Sequence, residues 1–112
     1  MEKIASGLIE RYVLSHNDLT MAQYKNDVQQ IFYPGLADFI IMSARSGVDY
    51  DHVIKSHSIG LNGVNSTDPK SFTAAATLVL HFQSGETQTH HYQFMFALGS
   101  AGNWTIQSLR GA

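Results

Sequence analysis

The apolar residues of this chain change period near Gly47. Upstream they recur at helix spacing; downstream they alternate, as on a strand with one buried face. That switch demands helices first and sheet second. Strands joined by turns this short must run antiparallel. One face of the sheet has to be covered, and the helices are the cover at hand. The expected architecture is α+β: N-terminal helices packed on a curved four-stranded antiparallel sheet, as a single domain over residues 1–112.

Ile4, Ala5, Leu8, Ile9, Tyr12 and Val13 make one stripe on a helix expected from Glu2 to Ser15, ended by His16, Asn17 and Asp18. Thr20 with Gln23 is a capping-box pattern. It opens a second helix with Met21, Tyr24, Val28, Ile31 and Phe32 turned inward. Tyr33-Pro34-Gly35 interrupts that helix, and Pro34 suits the first position of a third. Leu36, Phe39, Ile40 and Ser43 then share one face, and Ser46-Gly47 is the stop signal. Val53 to Leu61 alternates as a first strand, with Asn62-Gly63 as a turn and Asn65 to Pro69 as a polar loop. Phe72 to Phe82 is a long second strand, and Ser84-Gly85-Glu86 a hairpin turn. Tyr92 to Leu98 is a third strand, Gly99 to Asn103 a turn, and Trp104 and Ile106 mark a fourth strand.

Composition narrows what such a domain does. With 44% hydrophobic and 14% charged residues, the chain is neither a disordered tail nor a charged coiled coil. Its basic residues are scattered and its net charge is -2, so no cationic stripe follows a phosphate backbone and direct nucleic-acid contact is not expected. Without cysteine there is no thiol catalysis, no Cys-ligated zinc and no disulfide. No run of about 18 apolar residues is present to span a membrane. Phosphate-cradling, dinucleotide-binding, nucleophile-elbow and zinc-protease motifs are all missing, and no cofactor is expected.

Histidine is the most suggestive residue type: His16, His52, His57, His81, His90 and His91. A metal needs convergent ligands, and these spacings match no standard set. His90 and His91 are adjacent, so on a strand they point to opposite faces. His81 and His90 flank a hairpin turn and are candidate cross-strand neighbours. No metal site is expected from them. Acid–base chemistry in a pocket between helices and sheet would draw on Asp38, Asp49, Asp51 and Tyr12. Asp38 sits between Leu36 and Phe39 and is open to a solvent-facing reading; Asp49 and Asp51 suit capping. Tyr12 is either a phenol donor into a pocket or a core residue whose hydroxyl reaches the rim. No catalytic residue is assigned.

The remaining functional surface is apolar. Part of Phe32-Tyr33-Pro34-Gly35-Leu36 must fill the core, and the rest is a candidate partner contact, with Phe32, Tyr33 and Leu36 as its residues. The first or last strand offers a second route, by edge pairing with another chain.

Helices followed by a four-stranded antiparallel sheet, closing on Phe94-Met95-Phe96-Ala97-Leu98 and Gly102-Asn103-Trp104-Thr105-Ile106, resemble the nuclear transport factor 2-like, or cystatin-like, superfamily. Its small enzymes place an early strand pair among the helices, whereas residues 20–47 here read as helix throughout. Within the superfamily, the run from Tyr24 through Phe32-Tyr33-Pro34-Gly35-Leu36 to Phe39 resembles the DotI/IcmL/TraM family of type IVB secretion and conjugation systems. So do Leu80-His81-Phe82-Gln83-Ser84-Gly85, Thr87-Gln88-Thr89 and Trp104-Thr105-Ile106-Gln107-Ser108. That resemblance implies a non-enzymatic assembly component. It would be the periplasmic domain of an inner-membrane protein whose anchor is absent from this chain, associating with itself and with other secretion-complex proteins. The alternative is a small-molecule-binding or acid–base enzyme of isomerase or cyclase type, with a pocket between helices and sheet.

Overall fold

A computed structural model describes residues 1–18, 20–43 and 53–111. Three helices, α1 (Glu2–Ser15), α2 (Met21–Ile31) and α3 (Pro34–Ser43), precede four strands, β1 (Ile54–Asp68), β2 (Ser71–Phe82), β3 (Thr87–Leu98) and β4 (Trp104–Gly111). The strands form one antiparallel sheet in the order β1-β2-β3-β4. The chain is thus α+β, with helices over one face of the sheet. Ser46-Gly47, Asp49, Asp51 and His52 lie outside the described residues.

Local chemistry accounts for the helices. The α1 stripe buries Ala5, Leu8, Ile9 and Val13. Thr20 caps α2, its Oγ1 accepting the Gln23 N–H at 3.1 Å. Phe32 then turns extended and pairs with Ile106 of β4 as a short parallel bridge, and the Tyr33 N–H donates to the Ile106 carbonyl at 3.2 Å. Those contacts stitch the helical layer to the sheet edge. Pro34 restarts the helix where its missing N–H costs nothing, and the Ala37 N–H closes the first turn on the Tyr33 carbonyl at 2.9 Å.

The core is an aromatic ladder between the layers. Alternate residues of β2 (Phe72, Ala74, Ala76, Leu78) and β3 (Phe94, Phe96) are buried with Ile106. Phe72 and Phe96 pair across the strands with ring centroids 4.7 Å apart, and Trp104 closes over Phe72 at 5.2 Å.

Two turn expectations fail. Asn62-Gly63 is not a turn, and of the loop expected from Asn65 to Pro69 only Pro69 lies outside a strand: β1 runs through to Asp68. Its register slips between Leu61 and Gly63, so the extra residue is absorbed as an irregularity while Leu61 pairs with Ala76 and Val64 with Ala74. The Asn62 side chain donates to Thr77 Oγ1 at 2.9 Å. A long β2 rewards pairing along its whole length, and that outweighs a local turn preference. The chain reverses instead at Pro69 and Lys70, where the Asp68 carboxylate accepts from the Lys70 N–H at 2.7 Å and the Ser71 hydroxyl at 3.0 Å.

Candidate interaction surface and the polar rim of the core

The three residues proposed as a partner contact separate. Phe32 is 1% exposed and belongs to the core, where its ring meets Tyr12 edge-on at 5.4 Å. Leu36 is partly buried against the same core. Tyr33 alone reaches the surface, at 39% exposure.

The exposed apolar side chains lie further along α3. Phe39 is 67% and Met42 85% exposed, whereas Ala37 is buried and Ile40 and Ile41 are partly buried against the core. The packing partner of α3 is chiefly α2. Leu36, Phe39 and Ile40, expected to share one face, thus differ in burial: Leu36 and Ile40 pack against the core and Phe39 is exposed. On a helix this apolar, with Ile40, Ile41 and Met42 in succession, periodicity cannot say which side faces in. The bridge from Phe32 to Ile106 decides the rotation.

The histidines do not converge. His81 sits opposite Thr87 and hydrogen-bonds with its Oγ1 at 3.1 Å, while His90 sits opposite Leu78, so the two are not cross-strand neighbours. His90 stacks on Tyr92 with centroids 5.6 Å apart, and His91 meets Thr77 Oγ1 at 3.1 Å. His57 lies 3.6 Å from Glu10, and His16 stays on its own helix against the Tyr12 carbonyl. Among the described residues no group of three or more His, Cys, Asp or Glu side chains is placed to hold a metal ion. None of the described helices is long and apolar enough to cross a membrane.

Of the acid–base candidates, Asp38 is exposed on α3. Tyr12 is partly buried at the edge of the core, and burial, reinforced by Tyr92 and Tyr24, pushes its phenol well up from the ordinary value. That makes Tyr12 a neutral hydroxyl at the rim. One group escaped the sequence reading. The Asp18 carboxyl is pushed up to about 6, first by burial and then by the neighbouring Asp27 carboxyl. Its Oδ2 is shut off from solvent with no hydrogen-bond partner among the described residues. Tyr24 is raised by burial and by Asp18. Asp18 was legible only as a helix terminator, because its partner comes from the next helix.

No protein-family model matches the chain, and no curated protein matches it. Among solved structures it is similar to a nuclear transport factor 2 (NTF2-like) superfamily protein from Salmonella enterica serovar Typhimurium, with 15% sequence identity and a TM-score of 0.50. The match covers 94% of this chain and 86% of that one. The fold is therefore of the nuclear transport factor 2-like kind, as the element order implied.

Proposed function

We propose that this domain is a non-enzymatic assembly module that works through protein–protein contacts of α3. The exposure of Met42, at 85%, carries this reading. A large apolar side chain held in water costs free energy unless a partner covers it, and exposed apolar surface marks interaction sites. The narrower setting is the periplasmic side of a type IV secretion or conjugation apparatus, with the domain tethered to the inner membrane. Its support is the resemblance of the Tyr24–Phe39 run to the DotI/IcmL/TraM family. Tethering raises local concentration, so weak self-contacts suffice in place.

The test is a photo-crosslinking amino acid at Met42 of the full-length protein in its source cells. Crosslinks to a second copy or to secretion-complex components are expected. A protein that yields neither, and fractionates away from the inner membrane, overturns the reading.

A further inference from the structure

A cleft of about 430 Å³ opens between the α2–α3 junction and the end of the β3–β4 hairpin. Its polar walls are Gln29 and Tyr33 on one side and Ser100, Asn103, Thr105 and Gln107 on the other. None of the residues lining it carries a charge. Among the described residues, none of these six side chains is engaged in a hydrogen bond within the protein. Three amides and three hydroxyls, each able both to donate and to accept, surround one space.

Three local features aim these groups. Gln107 occupies the register slip between β3 and β4, where Met95 pairs with Ser108 and Phe96 with Ile106; a bulge residue is turned out of the ladder toward its surroundings. The Tyr33 ring lies against Gly35, where an added Cβ would come within 2.9 Å of its Cε2. Asn103 is held similarly close to Gly99, where an added Cβ would lie 3.3 Å from its Oδ1. Side-chain placement here depends on the two glycines.

The chemistry favours a neutral ligand. With no cation or carboxylate in the walls, a charged ligand would lose hydration without meeting a counter-charge. A peptide adding as a strand would need the β4 backbone at Ile106, whose carbonyl Tyr33 already takes. A neutral polyhydroxylated ligand fits. Its hydroxyls match amides and hydroxyls that donate and accept, and its apolar ring face matches an aromatic side chain. We propose that this cleft is a carbohydrate-binding site, with Tyr33 as the stacking platform and Gln29, Asn103 and Gln107 as hydrogen-bonding partners. It shares no residue with the exposed Phe39 and Met42, so it stands or falls separately from the assembly role.

The experiment is titration of the intact chain with maltotriose, cellotriose and tri-N-acetylchitotriose, followed by NMR of backbone and side-chain amides. At least one sugar is expected to give saturable shifts of the Asn103 and Gln107 side-chain amides, with a dissociation constant of order millimolar. Tyr33→Ala should weaken it by about tenfold or more. Gly35→Ala, which displaces the Tyr33 ring, should weaken it too. Gly7→Ala on α1, where an added Cβ meets nothing within 4 Å, should not. If Tyr33→Ala loses the folded spectrum, Gln107→Ala replaces it. Absence of saturable shifts from all three sugars up to about 50 mM overturns the proposal, as does undiminished binding by the folded cleft variants. A capped neutral tripeptide titrated in parallel that binds at the cleft where the sugars do not also overturns it.

Discussion

Asn17 holds both backbone groups of Ile54. Its Oδ1 accepts from the Ile54 N–H at 2.8 Å, and its Nδ2 donates to the Ile54 carbonyl at 2.9 Å. One amide, just past the end of α1, thus pins the start of β1 under the helical layer. Asn17→Ala should cost about 2 kcal/mol, two partly buried bonds at roughly 1 kcal/mol each. Asn17→Asp keeps the acceptor, loses the donor and sets a charge against a carbonyl, so it should not rescue. Urea unfolding measures both. A loss below about 0.5 kcal/mol in the alanine variant would mean the clamp is ornamental.

Phe32 and the α3 pair should behave oppositely. Phe32→Ala empties a 1%-exposed core position and should cost about 3–5 kcal/mol. Phe39→Ser with Met42→Ser removes exposed apolar surface and should leave stability within about 0.5 kcal/mol while reducing self-association or crosslinking. Denaturant midpoints paired with sedimentation of the same variants separate these effects. A double variant that unfolds would place α3's outer side in the fold rather than at an interface.

Asp18 sets a pH dependence of definite sign. Its carboxyl rises from 3.8 to about 6, so the native state holds a proton that the unfolded state releases. Stability from this group is full below roughly pH 4, falls as pH rises, and is lost above roughly pH 6. Asp18→Asn should therefore match the wild type near pH 4 and exceed it at pH 8. The nominal 3 kcal/mol ceiling comes down to about 1 kcal/mol because the residue is partly exposed and solvent screens it. Unfolding midpoints for both proteins across that range give the difference curve. A difference independent of pH would assign the effect to something other than the carboxyl.

Glycines at real and apparent turns should part company. Gly85 has φ 94° in the β2–β3 turn, and Gly85→Ala should cost about 1–2 kcal/mol. Gly63 lies inside β1, outside the positive-φ region, with open space where a Cβ would stand. Gly63→Ala should be neutral or slightly stabilising, since alanine reduces the freedom of the unfolded chain. A large loss at Gly63 in thermal melts would restore the turn that Asn62-Gly63 suggests.

The helices were legible because their signals are local. The α1 stripe, the Thr20 cap and the Pro34 restart each act within a few residues, and each has its expected place. The hairpin at Gly85 was legible for the same reason. Asn62-Gly63 misled because the competing force was long-range: pairing with β2, which returns along the same line only after the turn at Pro69 and Lys70. The pairing of His81 with Thr87 rather than His90 is likewise a matter of register, fixed by Phe72 meeting Phe96 at the far end of the ladder.

The candidate sites were harder to see. Asp18 becomes unusual only when α2 folds back and sets Asp27 beside it. Gln29, Tyr33, Asn103 and Gln107 come from α2, the α2–α3 junction, the β3–β4 turn and β4, and form no motif along the chain. The order of the elements, the helix starts at Glu2, after Thr20 and at Pro34, and the inward face of β2 were legible in the residues alone, because apolar period and capping are properties of neighbouring residues. Phe32 was already expected to face in, but that Phe39 and Met42 face out emerges only from the packed layers. The rotation of α3 follows from the backbone bond between Tyr33 and Ile106, residues that meet only when the helical layer closes on the last strand.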